Sequence, residues 1–321
     1  MRRRAETALA IAALLTAPCV FSAAGETWTF APADTLTVNT NLAITADTTV
    51  AVASGMVVFA GVISGSGGLT KSGSGTLYLA NRANTYDGLM TVSGGALYCR
   101  SFAAVTLNSG TLRLYGAGTF ETGQPIRQNG NTQLYVTDST DTLVVNGPWT
   151  GRCAVRGNGT CRFARYLAAG DISTCVRTDK GVTEFLCPTN SFTCAVTASD
   201  GTFRVPRLAN AGEPSSLGAG TQITLGQREY KNIGCISYYG ATDAHCDRAI
   251  TVCGYTNSTL AANHYGGRLR NETAGTCVTY SGTMTAYVRG EYPLSMPALF
   301  LDGAGDGRLE MALTERIFLR K

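Results

Sequence analysis

Few side chains in this sequence have the type and spacing needed for acid–base or nucleophilic chemistry. Two histidines follow residue 24, His245 and His264, and the chain contains neither an H-E-x-x-H metal motif nor a G-x-S-x-G nucleophile turn. Sequence alone does not eliminate a Ser-His-Asp triad, but nothing positions a serine beside either histidine. We therefore interpret both as ordinary surface or core histidines, and we predict no catalytic residue, no metal site and no cofactor.

Carboxylate pairs could also catalyse a reaction, because neighbouring carboxylates raise one another's proton affinity and so supply an acid and a base. Acidic residues are spread thinly here, and the nearest pairs are Asp138 with Asp141, Asp243 with Asp247 and Asp302 with Asp306. Each pair lies in a turn-like stretch where aspartate commonly caps or closes the chain, so we expect structural turns. The segment DGAGDGRL from Asp302 partly resembles a calcium-binding repeat, but one imperfect copy also predicts a turn.

One segment, GSGGLTKS at residues 65–72, comes close to a phosphate-binding loop. The pattern G-x-x-x-x-G-K-[ST] requires glycine directly before the lysine, where this sequence has Thr70, and it requires a helix to follow. The residues after Lys71 are SGSGTLYL, which become an alternating β-prone run. The sequence therefore indicates repeated architecture here and not a nucleotide site.

Ten cysteines follow residue 24, an even number that permits disulfides in an exported chain. Free cysteine is also a good small buried hydrophobe, so an inward-facing column of thiols fits the same positions. Both alternatives stay open. Zinc binding is less favoured than either, because no C-x-x-C occurs and the one local cluster is Cys235, His245, Cys246 and Cys253.

Tyrosines are concentrated in one stretch, since eight of the fourteen lie between residues 230 and 292. Exposed rings repeated along a surface could stack on sugars or on a host surface. We therefore single out Tyr238, Tyr239, Tyr255 and Tyr265 as candidate glycan-binding or surface-binding residues. The favoured alternative is the ordinary preference of tyrosine for β-strands, which would give these rings a structural role.

The N-terminal segment, positions 1–24, has the pattern of an export signal. Three arginines at positions 2–4 precede the apolar run from Ala8 to Leu15, and small residues at positions 22 and 24 suit cleavage before Gly25. The run is too short to span a membrane, and Pro18 argues against lipidation at Cys19. We predict export by the Sec route to a secreted or cell-surface location, with the periplasm as an alternative.

Composition predicts the fold class and excludes one kind of partner. The chain has 38 glycines, nine prolines and 44% hydrophobic residues, which is typical of strands joined by tight turns. Removal of residues 1–24 takes away three arginines and Glu6, so the net charge falls from +4 to +2. No basic run remains, so we predict no nucleic-acid partner. The prediction is an all-β protein.

Internal repeats organise most of the chain. A glycine, a threonine or alanine, and an apolar residue recur together, and leucines alternate with polar residues around them, as in TLYL at 76–79 and TLRL at 111–114. We predict that Thr76, Thr111 and Arg113 point outward and that the leucines point inward, at Leu77, Leu79, Leu97, Leu112 and Leu114. A longer block, 84–97, aligns without gaps on 190–203, so Asn84 matches Asn190 and Tyr86 matches Phe192.

Residues 61–97 resemble the autotransporter-associated β-strand repeat, also called the passenger-associated transport repeat, whose pattern is roughly GxGGLxKxGxGTLxL followed by NTYxG and a closing GGxL. Beyond Gly151 the copies are degenerate. The resemblance implies a right-handed parallel β-helix, the usual form of autotransporter passenger domains. Short alternating strands between turns agree with a β-solenoid of about 22 residues per coil and roughly 13 coils. A β-sandwich is the structural alternative.

These predictions divide the chain into a signal peptide at 1–24, a passenger-like β-helix at 25–308 and a tail at 309–321. The helix-like tail would cap the solenoid or begin a truncated continuation. A full autotransporter ends in a membrane barrel that the residues after Gly307 do not resemble, so we expect membrane contact only through a barrel outside this chain.

The function expected from the resemblance is a non-enzymatic, exported scaffold of the passenger kind, serving as an adhesin for a surface glycan or a host matrix protein. The alternative is a carbohydrate-active β-helix enzyme, either a polysaccharide lyase or a hydrolase. Three or more carboxylates converging in one groove would favour the enzyme.

Overall fold

The computed structural model describes residues 26–227, 232–254, 265–288, 297–313 and 317–321. These residues form 31 β-strands and no helix, which confirms the all-β prediction. Two compact units are present, Met1–Leu143 and Val144–Lys321. Because the described residues contain no helix, they offer no candidate for a helical membrane span.

The strands of the first unit are short, except for the longer β9 and β10. They are β1 (Glu26–Phe30), β2 (Thr35–Val38), β3 (Leu42–Ala43), β4 (Thr48–Val52), β5 (Met56–Phe59), β6 (Ile63–Ser64), β7 (Leu69–Ser72), β8 (Thr76–Leu79), β9 (Met90–Cys99), β10 (Val105–Leu114), β11 (Thr119–Thr122), β12 (Ile126–Gln128) and β13 (Gln133–Val136).

The remaining strands are β14 (Thr142–Val145), β15 (Trp149–Arg156), β16 (Thr160–Phe163), β17 (Ile172–Arg177), β18 (Val182–Phe185), β19 (Val196–Ala198), β20 (Thr202–Val205), β21 (Gln222–Leu225), β22 (Ile233–Tyr238), β23 (Ala244–Cys246), β24 (Ala249–Gly254), β25 (Gly266–Asn271), β26 (Cys277–Tyr280), β27 (Thr283–Val288), β28 (Ala298–Gly303), β29 (Asp306–Leu309), β30 (Ala312–Leu313) and β31 (Phe318–Arg320).

Pairing in the first unit is parallel from coil to coil. Glu26 pairs with Thr48, Thr48 with Leu69 and Leu69 with Met90, so equivalent positions recur at nearly equal steps along the chain. One strand stack runs β1, β4, β7, β9, β10, β12. A second stack runs β2, β5, β8, β9, β10, β13, and the two long strands belong to both. This is a parallel β-helix, as predicted.

The second unit is also a parallel β-helix, but its coils become longer along the chain. Cys175 pairs with Val196, whereas further on Ile250 pairs with Met284, which is a distinctly larger step in sequence. Stacks run β15, β17, β19, β21, β24, β27, β30 and β16, β18, β20, β22, β25, β28, β31, and the longer coils add a third stack, β23, β26, β29. The steps lengthen from the pairing of β19 with β21 onward, where Val196 pairs with Ile223.

Alternation of buried and outward side chains sets the core. The five leucines predicted to point inward are all buried, with at most 3% of their surface exposed, which confirms the predicted register. Thr76, Thr111 and Arg113 lie on the opposite face of the same strands, as predicted, and are half-buried. A strand shifted by one residue would exchange the two faces, so the burial of the leucines fixes the outward direction of their neighbours.

Lys71 lies in the core of the first unit and is fully buried. Its Nζ donates to the carbonyl oxygens of Ser72, Gly73 and Gly94 at 2.7, 2.9 and 3.1 Å. Burial lowers the pKa of this ammonium group to about 8. The lysine of the segment that resembles a phosphate loop therefore joins glycine turns of neighbouring coils, in agreement with the architectural interpretation.

The second unit uses arginine for the same purpose. Arg177 is fully buried, its Nη2 donates to the carbonyl oxygens of Gly157 and Gly159, and burial lowers its pKa to about 10. Arg248 is 1% exposed and donates to several carbonyl oxygens, among them that of Gly218 at 2.6 Å. Backbone carbonyls satisfy these buried cations in place of a carboxylate.

Asparagine side chains connect coils at equivalent positions of the duplicated block. Asn84 Oδ1 accepts from the backbone N–H of Ile63 at 2.8 Å, and Asn190 Oδ1 accepts from Leu167 N–H at 2.8 Å. The gapless alignment of 84–97 on 190–203 therefore reflects a shared structural role. Each asparagine satisfies an N–H of the preceding coil that the strand ladder leaves unpaired.

The ten cysteines among the described residues form no disulfide, and seven of them are buried. Cys153 and Cys175 are directly paired on β15 and β17. Burial raises the pKa of Cys175, and the neighbouring Cys153 raises it further. Of the two alternatives for the cysteines, disulfides and buried thiols, the structure contains buried thiols.

The described part of the C-terminal tail is strand and not helix. β30 and β31 pair in parallel with β27 and β28, so the residues expected to form a helical cap instead continue the two main stacks. The prediction of a helix from Leu309 is therefore wrong, because pairing with the preceding coil overrides local helix preference.

Candidate functional site

Of the four tyrosines singled out from sequence, the structure describes three, and these three are not all exposed. Tyr238, at the end of β22, is 2% exposed, and its hydroxyl donates to the carbonyl oxygen of Thr242. A ring without an exposed face cannot stack on a ligand, so the predicted binding role is wrong for this residue. Tyr239 and Tyr265 are half-buried, and Tyr255 lies outside the described residues.

A different set of aromatic side chains lies on the surface of the first unit. The second strand stack carries Tyr78 on β8, Tyr98 on β9, Arg113 on β10 and Tyr135 on β13 at the same outward position in successive coils. Tyr115 directly follows β10 and is 40% exposed. We call these five residues the aromatic–arginine face.

Three tyrosines of this face contact one another edge to face. Ring centroids of Tyr78 and Tyr98 are 6.0 Å apart, and Tyr115 lies 6.2 Å from the first and 6.5 Å from the second. This geometry is the one that aromatic pairs prefer, because the positive edge of one ring meets the negative face of another. The cluster is therefore held in place before any ligand arrives.

Arg113 lies between two of the rings. Its Cζ is 3.9 Å from the ring centroid of Tyr135 and 5.4 Å from that of Tyr98, within the range of cation–π attraction. Its Nε is buried without a hydrogen-bond partner, and the guanidinium makes no hydrogen bond or ion pair with any other described residue. The rings fix its position and leave its donors unused.

Two further arginines lie at the edge of the face, next to Tyr115. Arg82 and Arg100 both donate to the carbonyl oxygen of Gly116, at 2.7 and 2.6 Å. Gly116 has a φ of 57°, a conformation that favours glycine, and its N–H donates to Asp141 at 2.9 Å. The turn after β10 thus places two more cations beside the exposed tyrosine.

The strands that form the face contain no acidic residue. Their sequences are TLTV, MVVF, TLYL, MTVSGGALYC, VTLNSGTLRL and QLYV, for β2, β5, β8, β9, β10 and β13. Arg113 is the charged residue within these six strands. The charge that they bring to this surface is therefore positive.

The second unit has a comparable row in which arginines are paired with carboxylates. Arg162, Glu184 and Arg204 are direct neighbours on β16, β18 and β20. Glu184, whose side chain is 5% exposed, accepts from both arginines at 2.6 Å, and Arg204 also pairs with Glu272 at 2.8 Å. Burial acts to raise the pKa of Glu272, but hydrogen bonds from Arg204 and Ser237 lower it overall.

The aspartates that were candidates for catalysis bind backbone N–H groups or arginines. Asp141 Oδ1 accepts from Gly118 N–H, Asp243 from Cys277 N–H and Asp247 from Ala211 N–H, at 2.8, 2.7 and 2.6 Å. Asp302 pairs with Arg270 at 2.7 Å and with Arg268 at 3.2 Å. These contacts agree with the expectation of structural turns for the first three, and they add an ion-pair role for Asp302.

His245 has a serine beside it, contrary to the sequence interpretation. Ser281 Oγ lies 3.0 Å from His245 Nε2, and Asn210 Oδ1 lies 2.8 Å from Nδ1. The Ser281 N–H, which would be a natural oxyanion donor, is bound to the carbonyl oxygen of Cys246. A neutral asparagine also gives an imidazolium less support than a carboxylate does. Coil-to-coil pairing brings residues from distant parts of the chain together here, which no local pattern shows.

Metal-binding groups are absent from the described part of the chain, where no three His, Cys, Asp or Glu side chains lie close enough together to hold an ion. The cysteines near His245 point into the core, since Cys235, Cys246 and Cys253 are buried.

A signal for the aromatic–arginine face was present in the sequence. TLYL, ALYC, TLRL and QLYV each place a tyrosine or arginine directly after the buried leucine. Alternation requires that residue to point outward. Tyrosine density along the chain pointed to a different segment, because density does not distinguish inward from outward positions.

The fold and this surface define a class: a repeat-built parallel β-helix with an exposed aromatic face. The passenger-associated-transport-repeat family model matches residues 69–98, which cover β7, β8 and most of β9. No solved structure is significantly similar to the chain.

A curated relative extends the likeness. Over 225 residues, 67% of this chain, the sequence is 30% identical to the adhesin BmaC autotransporter of Brucella suis biovar 1 (strain 1330). The chain matches 6% of the length of that relative. The chain is thus an autotransporter passenger-like protein that contains a passenger-associated transport repeat.

Proposed function

We propose that this chain is an exported, non-enzymatic β-solenoid of the adhesin type, which attaches to a surface glycan through the aromatic–arginine face. The observation that carries the proposal is the column of outward side chains on four successive coils, Tyr78, Tyr98, Arg113 and Tyr135, with Tyr115 beside it. Aromatic rings bury large areas at low entropic cost and stack on the apolar faces of sugars. The similarity to an adhesin autotransporter supports a surface role.

The charge distribution supports attachment and not turnover. Catalysis of glycan cleavage needs an acid and a base with separated pKa values. The carboxylates on the surface row of the second unit are engaged by arginines, as Glu184 is by Arg162 and Arg204. The aromatic–arginine face itself has no carboxylate on its strands.

The test measures adhesion to a glycan array and to an immobilised matrix protein, and it compares the unaltered purified protein with a Tyr98→Ala/Tyr135→Ala double variant. Tyr166→Ala is the matched control, because Tyr166 is 47% exposed on the second unit. We expect glycan binding to be lost in the double variant and kept in the control, with unchanged circular dichroism. Equal binding by all three proteins would refute the proposal.

Turnover is measured on the same preparations. We expect no release of reducing ends or unsaturated uronates from polysaccharides, and no ester hydrolysis that depends on Ser281. Cleavage that disappears in Ser281→Ala, or in Glu184→Gln, would show that the chain is an enzyme.

A further inference from the structure

We propose that the glycan bound by the aromatic–arginine face is an anionic polysaccharide, whose carboxylate or sulfate groups pair with Arg113. This inference rests on the proposed function, because it names the ligand class of the same surface. What this adds to the proposed function is the assignment of Arg113 as the residue that favours anionic glycans over neutral ones.

The first argument is the unused hydrogen-bonding capacity of Arg113. A guanidinium has five N–H donors in a fixed fork that matches carboxylate and sulfate oxygens. Arg113 spends none of them on the described residues, and its Nε is buried without a partner. Protein arginines in partly buried positions usually find acceptors, so an arginine kept unpaired is suited to an acceptor from a ligand.

The second argument is the contrast between the two units. On the surface row of the second unit, arginines at outward positions meet carboxylates, as Arg204 meets Glu184 and Glu272. The strands of the aromatic–arginine face on the first unit belong to a different sheet, and they hold rings and an arginine without a carboxylate. The ion-paired row therefore neutralises its charge internally, whereas the aromatic–arginine face leaves its arginine for a partner.

The third argument is that the rings hold the guanidinium in place. Tyr135 and Tyr98 lie 3.9 and 5.4 Å from Cζ, so the planar group is stacked and has little rotational freedom to lose on binding. Arg82 and Arg100 add positive charge at the edge, where both contact Gly116. An acidic sugar lying on Tyr115 would meet these cations.

The linear arrangement favours a polymer over a compact ligand. Outward positions on successive parallel coils repeat at about 4.8 Å, so Tyr78, Tyr98, Arg113 and Tyr135 form a row of about 15 Å. A polysaccharide chain along this row offers sugar faces to the rings and regularly spaced acidic groups to the arginine. A nucleic acid would need a broader basic surface than one central arginine and two at the edge.

The experiment measures binding of the purified protein to polygalacturonate, to its fully methyl-esterified form and to heparin, by isothermal titration calorimetry at two salt concentrations. The methyl ester keeps the sugar backbone and removes the charge. We expect polygalacturonate to bind at least about tenfold more tightly than its methyl ester, and the difference to shrink at high salt. Heparin binding in place of polygalacturonate would assign sulfate as the anionic group.

Substitutions test whether Arg113 is the residue responsible for the difference in affinity. Arg113→Gln should weaken polygalacturonate or heparin binding by about tenfold or more and leave the weaker binding of the methyl ester unchanged. Arg113→Lys keeps the charge but loses the planar guanidinium fork, so its affinity should lie between those of the unaltered protein and of Arg113→Gln. Arg127→Gln is the matched control, since Arg127 is exposed on β12 in the same unit and outside the face.

Each further outcome is informative. If Arg113→Gln binds like the unaltered protein while Tyr98→Ala/Tyr135→Ala does not, the anionic assignment is overturned and the proposed function stands. If the tyrosine variants bind normally as well, the proposed function fails too. Arg113-dependent binding to an immobilised matrix protein with no binding to any polysaccharide would overturn the inference in favour of an acidic protein surface.

Discussion

Replacing Lys71 by methionine should change how the stability of the protein depends on pH. In the folded chain burial lowers the pKa of Lys71 to about 8, compared with 10.5 for an ordinary lysine. Between these values the unfolded chain holds the proton and the folded chain does not. Stability therefore rises with pH in this window, because the unfolded state binds more protons.

The magnitude follows from the shift. A pKa difference of this size corresponds to about 3 kcal/mol in total, of which roughly 2.5 kcal/mol is gained between pH 7 and pH 10. Lys71→Met has no such proton to lose. The free energy of unfolding of the unaltered protein should therefore rise by that amount relative to the variant over this range. The other titrating groups are common to both proteins, so their contributions cancel in this difference.

The assay is equilibrium urea unfolding of both proteins at pH 7, 8, 9 and 10, followed by circular dichroism. Lys180→Met is the control, because Lys180 is exposed in the second unit and should follow the unaltered protein. Parallel pH profiles for Lys71→Met and the unaltered protein would refute the reasoning, since they would mean that the ammonium group is not desolvated in the core.

Three further changes test the fold. Leu97→Ala should cost about 2–5 kcal/mol in urea unfolding because it leaves a cavity, whereas Thr76→Ala should cost under about 0.5 kcal/mol; equal losses would show a wrong register. Gly95→Ala should destabilise far more than Gly118→Ala: both glycines have positive φ, but a Cβ at Gly95 would meet carbonyl oxygens of the preceding coil and one at Gly118 would meet nothing. The Cys175 thiol should react with a disulfide reagent only after unfolding, because it is buried and burial raises its pKa; rapid labelling of Cys175 in the native protein, located by peptide mass mapping, would contradict this.

The fold could be predicted from sequence because the pattern that specifies it is local and repeated. Leu77 and Leu79 alternate with Thr76 within a single strand, and alternation alone predicts which face is buried. The larger coils of the second unit were not predicted, since pairing such as that of Ile250 with Met284 joins strands that are far apart in sequence. A change in coil length does not alter the alternating sequence pattern within each strand.

The aromatic–arginine face was harder to predict because it depends on register between coils. Tyr78, Tyr98 and Arg113 are separated along the chain, and they meet because β8, β9 and β10 pair in order. Tyr238 shows the opposite error, since its strand has a tyrosine at an inward position. Density of one residue type is informative only once the direction of each side chain is known.

Coil-to-coil pairing also explains how one architecture yields two different surfaces. In a parallel stack every outward position repeats at the strand spacing, so a charged residue meets its equivalent in the next coil. Like charges in such a row repel, and the second unit relieves this by alternation, with Glu184 between Arg162 and Arg204. The first unit relieves it by dilution, placing one arginine between rings that attract it. Alternation produces a surface whose charge is internally neutralised, whereas dilution leaves a positioned cation without a carboxylate. This difference is why we propose the aromatic–arginine face, and not the ion-paired row, as the surface that binds a ligand.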